Sequence, residues 1–171
     1  MREKIESTAK WEIADFLFVA ILGTLLHFVY EWTDRNALAA IISPINESTW
    51  EHLKLLYMPA LLFTVIQGIG GKDWIPGWIT VKAKGVLWGM FFIVAFFFKY
   101  SGIWGGDIMW LDILTFYIGV AIYSIYSYRG IRQLYRDGEG KNIWGILIFS
   151  ILFLLFVIFT MKQPNIGLFW E

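Results

Sequence analysis

Long charge-poor runs alternate with short charged clusters along this chain. A helix that crosses a bilayer needs about 20 mostly apolar residues, and five stretches meet that length, at 13–32, 48–69, 79–98, 110–128 and 143–161. The first carries Asp15 near one end and His27 and Glu31 near the other, whereas the fifth has no charged residue inside it. Turn formers punctuate the connections, as in Gly70-Gly71-Lys72-Asp73 and Arg136-Asp137-Gly138-Glu139-Gly140. The pattern predicts an all-α polytopic transmembrane bundle of five spans, forming a single integral membrane domain over residues 1–171. A sixth apolar piece, Ala37 to Ile42, is too short to cross. It is expected to lie along the interface rather than dip back between helices. Pro59 lacks an N–H and frees the carbonyl of Leu55, which predicts a kink in the second span. Gly85 and Gly89, four residues apart, predict a close helix contact by the third.

Composition narrows the picture. The 171 residues are 58% apolar and 16% charged, against about 25% charged in soluble domains. Five spans use about 100 residues, and what is left is too little for a separate soluble catalytic domain, an extended tail or a nucleic-acid-binding module. Fourteen basic residues balance fourteen acidic ones, so no net field draws nucleic acid. The lack of cysteine excludes disulfides, thiolate metal sites and cysteine nucleophiles. Arg2, Lys4 and Lys10 precede the first apolar run as in a signal peptide. That run is of full spanning length with no small-residue cleavage pattern after it, and is read as an uncleaved span.

Basic residues set the expected orientation. With the N-terminus inside, ten lie on inner segments and four (Arg35, Lys54, Lys99, Lys162) on outer ones, while the acidic residues split seven and seven. This favours N-inside, C-outside. Lys82, Lys84, Arg129, Arg132 and Arg136 are expected at anionic headgroups. Trp11, Trp32, Trp50, Trp78, Trp110, Tyr128 and Trp144 are expected as interfacial anchors. Membrane lipids are the expected partners, and a multi-pass cell membrane protein, in the prokaryotic plasma membrane, is the expected setting.

Ionisable residues within a span cost several kcal/mol, so each needs a reason. On this topology His27, Glu31, Glu47, Glu51, His52, Lys54 and Asp112 all lie toward the outer face, and both histidines of the chain are among them. His27 and Glu31 share a helical face, with Thr24 and Asp34 extending the stripe. His27 lies about 7.5 Å below Trp32 and His52 about 6 Å past Ser48 along their helices. Packed as antiparallel neighbours, the two spans bring both imidazoles to one level. Imidazole and carboxylate groups at one depth suit Zn²⁺ or Fe²⁺. The expected ligands are His27, Glu47, His52 and Glu31, with one divalent metal as cofactor. Glu51, Lys54 and Asp112 are the expected catalytic groups.

Architecture alone supplies other readings of the same residues. Ser48-Thr49-Trp50-Glu51 fits a capping box in which Glu51 reaches back to the Ser48 amide. Glu47 in the first turn favours the positive end of the helix dipole, and Lys54 can pair with Glu51 or Glu47 or snorkel outward. His27 can bond to Glu31 or a neighbouring helix without metal. No phosphate-binding glycine loop, G-x-S-x-G elbow or H-E-x-x-H motif is present.

The run Pro44-Ile45-Asn46-Glu47-Ser48-Thr49-Trp50-Glu51-His52-Leu53-Lys54 resembles a prokaryotic small multi-span integral membrane family of unknown function, marked by a P-[VI]-N-E-S-x-W-E-H-x-K signature. The Leu25-His27-Phe28-Tyr30 stretch and the ending from Gln163 to Glu171 are similar to it as well, although Gln163 and Gly167 depart from that family's proline-rich ending. The resemblance implies the fold and the polar cluster, and no activity.

Three functions follow as expectations. The first is a membrane-embedded, metal-dependent hydrolase of a lipid-type substrate, with Glu51 orienting or deprotonating water and Asp112 or Lys54 steadying developing charge. The second is a small transporter or channel subunit moving protons or ions, against which the odd span count and the lack of a repeat argue. The third is a non-catalytic membrane scaffold locked by a structural polar network.

Overall fold

The computed structural model describes residues 2–70 and 75–169, with side chains from Glu6 onward. The expected turn at Gly71-Lys72-Asp73 and the last two residues lie outside the described residues. Eight segments follow in chain order: α1 (Arg2–Trp32), α2 (Ala37–Ile42), α3 (Thr49–His52), α4 (Lys54–Gly70), α5 (Trp78–Trp104), α6 (Met109–Asp137), α7 (Ile143–Met161) and a 3₁₀ turn (Gly167–Phe169). Five helices are long and apolar enough to cross a membrane, with α3 and α4 running together through Leu53 as one of them. No strand occurs among the described residues.

The bundle is held by alternating faces. The α1 helix packs on α4 and α6, and α5 packs on α6, α7 and α4. The core joins Val19, Leu56, Tyr57, Val86, Val120, Tyr123 and Phe156, all fully buried. Outward faces stay apolar: α7 exposes Ile143, Ile146, Leu147, Ile151, Leu154 and Ile158, as lipid-facing surfaces do. Small residues set the closest approaches. A Cβ added at Gly89 would lie 2.7 Å from the Gly119 carbonyl oxygen of α6, and one at Gly85 would lie 3.0 Å from that of Tyr123. The expected close contact is therefore the α5–α6 seam.

Pro59 and Gly23 work together across α4 and α1. Proline at 59 cannot donate to the Leu55 carbonyl, and that oxygen faces Gly23, where a Cβ would meet it at 2.4 Å. The helix runs on unbroken through Pro59, and the interruption that does occur lies six residues earlier, at Leu53. Its N–H is shared between the Thr49 and Trp50 carbonyls at 3.3 and 3.2 Å.

The short α2 helix lies at the end of the bundle against α1 and α7, with Leu38 76% exposed and Ala39 buried. Asn36 caps it by accepting from the Leu38 N–H at 2.8 Å. The chain end closes back on the same region. Phe169 stacks on Trp50 at 5.1 Å between centroids, and Gln163 accepts a hydrogen bond from Asn46 Nδ2 at 3.1 Å.

Three expected surface residues are interior. Lys82 is fully buried rather than at a headgroup surface, because two α1 carboxylates, Glu12 and Asp15, pair with it at 2.7 and 2.5 Å. Trp50 and Trp78 are buried as well, with Trp50 packed against Phe156, Phe159 and Phe169. Trp32, Trp110 and Trp144 are exposed, as an interfacial belt requires.

Candidate metal centre

The site forms where the last turns of α1 meet α3. His27 projects from α1, and Glu47 and His52 flank the helix start at Ser48. The two imidazole rings lie 5.3 Å apart, centroid to centroid, tilted by 34°. Equal depth on antiparallel neighbours thus becomes contact. One ligand atom from each of His27, Glu47 and His52 falls within 4.8 Å of the others. Ligand atoms about 2.0–2.1 Å from a tetrahedral Zn²⁺ lie about 3.4 Å from one another. His52 Nε2 and Glu47 Oε2 are already 3.3 Å apart. The widest separation needs to contract by more than an ångström to reach that geometry.

Hydrogen bonding around His52 is informative. Its Nδ1 lies 3.0 Å from the Ser48 carbonyl oxygen. A carbonyl only accepts, so Nδ1 carries the proton. The other nitrogen then faces the Glu47 carboxylate, which also only accepts. Both ring nitrogens therefore face acceptors. That arrangement demands a positive charge at Nε2, either a second proton or a cation held between imidazole and carboxylate. An Nδ1–H bonded to a backbone carbonyl is the usual outer support of a metal-ligating histidine. In the neighbouring ring, His27 Nδ1 is buried with no hydrogen-bond partner. Glu47, mostly exposed, is held below the ordinary glutamate range by its hydrogen bond to His52. It stays an anionic ligand at neutral pH.

The other expected site residues go elsewhere. Glu31 is exposed and pairs with Arg35 at 3.2 Å. It sits outside the cluster because a helix turn beyond His27 carries it past the end of the bundle. Asp112 accepts a hydrogen bond from Tyr100, joining the start of α6 to the end of α5, and its charge acts on His52. Glu51 and Lys54 have no exposed side-chain surface and pair at 2.6 Å. Lys54 Nζ also reaches the carbonyls of Ala40 at 2.8 Å and Ser43 at 3.3 Å, and Thr160 Oγ1 at 2.6 Å. Glu51 accepts from the Ile45 amide at 3.1 Å. These two residues bind the α2–α3 connection to α4 and α7 and leave the imidazoles to Glu47.

Half of the expected capping box is present. The Glu51 amide lies 3.4 Å from Ser48 Oγ, but the carboxylate does not return to the Ser48 amide. Asn46 Oδ1 takes that amide at 3.2 Å, and the Ser48 hydroxyl at 2.8 Å. A short side chain two residues away closes this turn locally, which frees Glu51 for Lys54.

A second buried polar centre was not foreseen as such. Glu12, Asp15, Lys82, Gln67 and Tyr123 meet near the opposite end of the bundle. The signal was present in the sequence: two acids three residues apart on α1, and a lysine at the start of α5. Near a predicted span end, however, an ionisable residue reads as interfacial.

A family of unknown function, DUF6512, matches residues 1–171. The chain belongs to that family. No curated protein and no solved structure matches the chain. Membership spans both polar centres and all five helices, and it carries no activity to either.

Proposed function

We propose that this membrane bundle holds one divalent metal ion, Zn²⁺ or Fe²⁺, through His27, Glu47 and His52, and uses it for hydrolysis of a lipid-type substrate at the membrane face. The observation that supports this reading is the doubly accepting environment of His52, with the His27 ring in contact and its Nδ1 unpartnered. A three-ligand site of this type leaves one position open. A divalent metal there supplies Lewis acidity and brings the pKa of coordinated water to about 7. In this arrangement Ser48 fixes the His52 tautomer, Glu47 adds negative charge to the ligand set, and Asp112 stands within electrostatic reach of His52. The buried Glu51–Lys54 pair holds the signature loop in place.

The setting, on this proposal, is the prokaryotic cell membrane, with the N-terminus inside and the histidines toward the outer face. That side follows from the ten-to-four division of basic residues.

Elemental analysis of the full chain, purified in detergent without added metal, tests the proposal. About one Zn or Fe per chain is expected, and its loss in the His27→Ala, His52→Ala double variant. A folded wild-type protein that takes up no metal even from excess Zn²⁺ overturns it. Hydrolysis is tested separately, by release of product from labelled lipid vesicles by the metal-loaded protein. Release is expected to fall at least tenfold in Glu47→Gln, in line with loss of a charged ligand.

A further inference from the structure

The second centre lies about 18 Å from the histidines, measured from Asp15 to His27 along α1. It brings together four helices: Glu12 and Asp15 from α1, Thr64 and Gln67 from α4, Lys82 from α5, and Tyr123 and Ser124 from α6. Asp15, Gln67, Lys82 and Tyr123 are fully buried, and Glu12 and Ser124 are nearly so.

Charges here do not balance. Two carboxylates face one ammonium, so the fully ionised cluster carries an excess negative charge inside the bundle, which is costly in a low-dielectric interior. The donors are also unevenly placed. Lys82 Nζ bonds to Asp15 Oδ2 at 2.5 Å and to Glu12 Oε1 at 2.7 Å. Tyr123 donates to the same Asp15 Oδ2 at 2.6 Å, and Gln67 Nε2 to the same Glu12 Oε1 at 3.5 Å. Every one of these donors goes to one oxygen of each carboxyl. Glu12 Oε2 and Asp15 Oδ1 are buried with no partner, and so is the hydroxyl oxygen of Ser124. An ionised carboxylate accepts at both oxygens. Each carboxyl thus has one oxygen that no donor stabilises as part of an anion, and a single proton held by the pair is enough to remove the excess charge.

A way in exists as well. Glu12 and Ser124 line one groove of about 510 Å³ between α1 and α6, with Ala9, Phe16, Ala121 and Tyr128 among its other walls. We propose that this cluster is a proton-binding site, in which Glu12 and Asp15 share one exchangeable proton that enters and leaves on the side of the α1–α6 groove that Glu12 lines. Uptake forms one O–H bond: carboxylate and hydronium become carboxylic acid and water. Lys82 keeps its charge and holds the two carboxyls together, and Tyr123 fixes Asp15. A bound proton cancels the excess charge, so occupancy of this site and packing of α1 against α4, α5 and α6 are coupled. A metal cation is the less fitting occupant, since hard cations take six or more oxygen ligands and Lys82 fills the centre of the cluster.

Infrared difference spectroscopy of the full chain in lipid vesicles, with chelator present and pH stepped from about 9 to about 5, tests the site over the range in which buried carboxyls titrate. The expected result is a protonated-carboxyl carbonyl band that grows on acidification, shifts in D₂O, and is lost or halved in Glu12→Gln and in Asp15→Asn. The wild-type band needs no variant. Glu12→Gln removes the excess charge while keeping an acceptor for Lys82, so it is expected to fold. Absence of any titrating carboxyl band overturns the proposal, as does a band left unchanged in both variants. A midpoint that moves about one pH unit for each tenfold change in sodium assigns the site to a metal cation and overturns it too.

Discussion

Lys54 and Glu51 face each other at 2.6 Å with neither side chain exposed. The pair is three residues apart on one turn, yet its reach is long-range, because Lys54 also binds α2 carbonyls and Thr160 of α7. Removing one member strands the other's charge. Lys54→Met is expected to destabilise the protein by about 3–5 kcal/mol, and Glu51→Gln by less, since a neutral amide costs less to bury. The double variant Lys54→Met, Glu51→Gln is expected to recover part of that loss. Thermal unfolding of the four proteins in one detergent gives the coupling. Simple additivity of the single changes would contradict the lock.

Metal retention is expected to follow imidazole titration rather than carboxylate titration. His52 holds Glu47 below the ordinary glutamate range, so Glu47 stays ionised as pH falls through neutrality into mild acid. Its favourable interaction with His52 is fully present above the unfolded glutamate pKa and is lost only below the depressed folded value. Histidine, with an ordinary pKa of about 6.5, protonates earlier and surrenders its ligand lone pair. Zn²⁺ affinity measured against pH is therefore expected to fall below about pH 6.5. Glu47→Gln is expected to weaken binding at every pH. A wild-type midpoint in the carboxylate range would contradict the ligand set.

The α5–α6 seam has no room for a methyl group at Gly89. A Cβ there meets the Gly119 carbonyl at 2.7 Å and Leu56 Cδ2 at 2.8 Å. Gly89→Ala is expected to cost about 1–3 kcal/mol by overpacking, whereas Gly102→Ala, with open space around it, is expected to be neutral or slightly stabilising by helix propensity. Unfolding midpoints of the two variants, measured side by side, check the contrast.

The closing aromatic group is expected to contribute strongly. Phe169 is buried against Trp50 and Phe159, and Trp50 rests on Phe156. Phe169→Ala is expected to cost about 3–5 kcal/mol and to open the segment after Met161 to protease. Because Trp50 lies two residues from His52, the same variant is expected to weaken metal binding with all three ligands intact. Protease mapping and a metal isotherm on one preparation check both effects.

Much of this molecule is written locally. Run lengths of apolar residues predict the five long helices, since the bilayer demands a fixed span and satisfied backbone groups. His27 and His52 were assignable to one level because helical rise converts sequence position to depth. Their pairing with Glu47 was legible for that reason. Glu51 was harder to place. Its position suited both a capping box with Ser48 and an ion pair with Lys54, and nothing local announced that Asn46 would take the Ser48 amide and leave Glu51 to the lysine.

Lys82 marks the boundary between the two kinds of information. By itself the sequence determined that ionisable groups would sit near both ends of the spans, because position along a helix sets depth. Tertiary structure alone decided which way they face. Lys82 turns from the surface to the interior because α1 presents Glu12 and Asp15 to α5 at the same depth. Rotation about a helix axis is chosen by the neighbours packed against it, and those neighbours are distant in sequence. The charge-poor pattern therefore defines a membrane bundle with few ionisable groups, and packing gathers them into two centres at opposite ends.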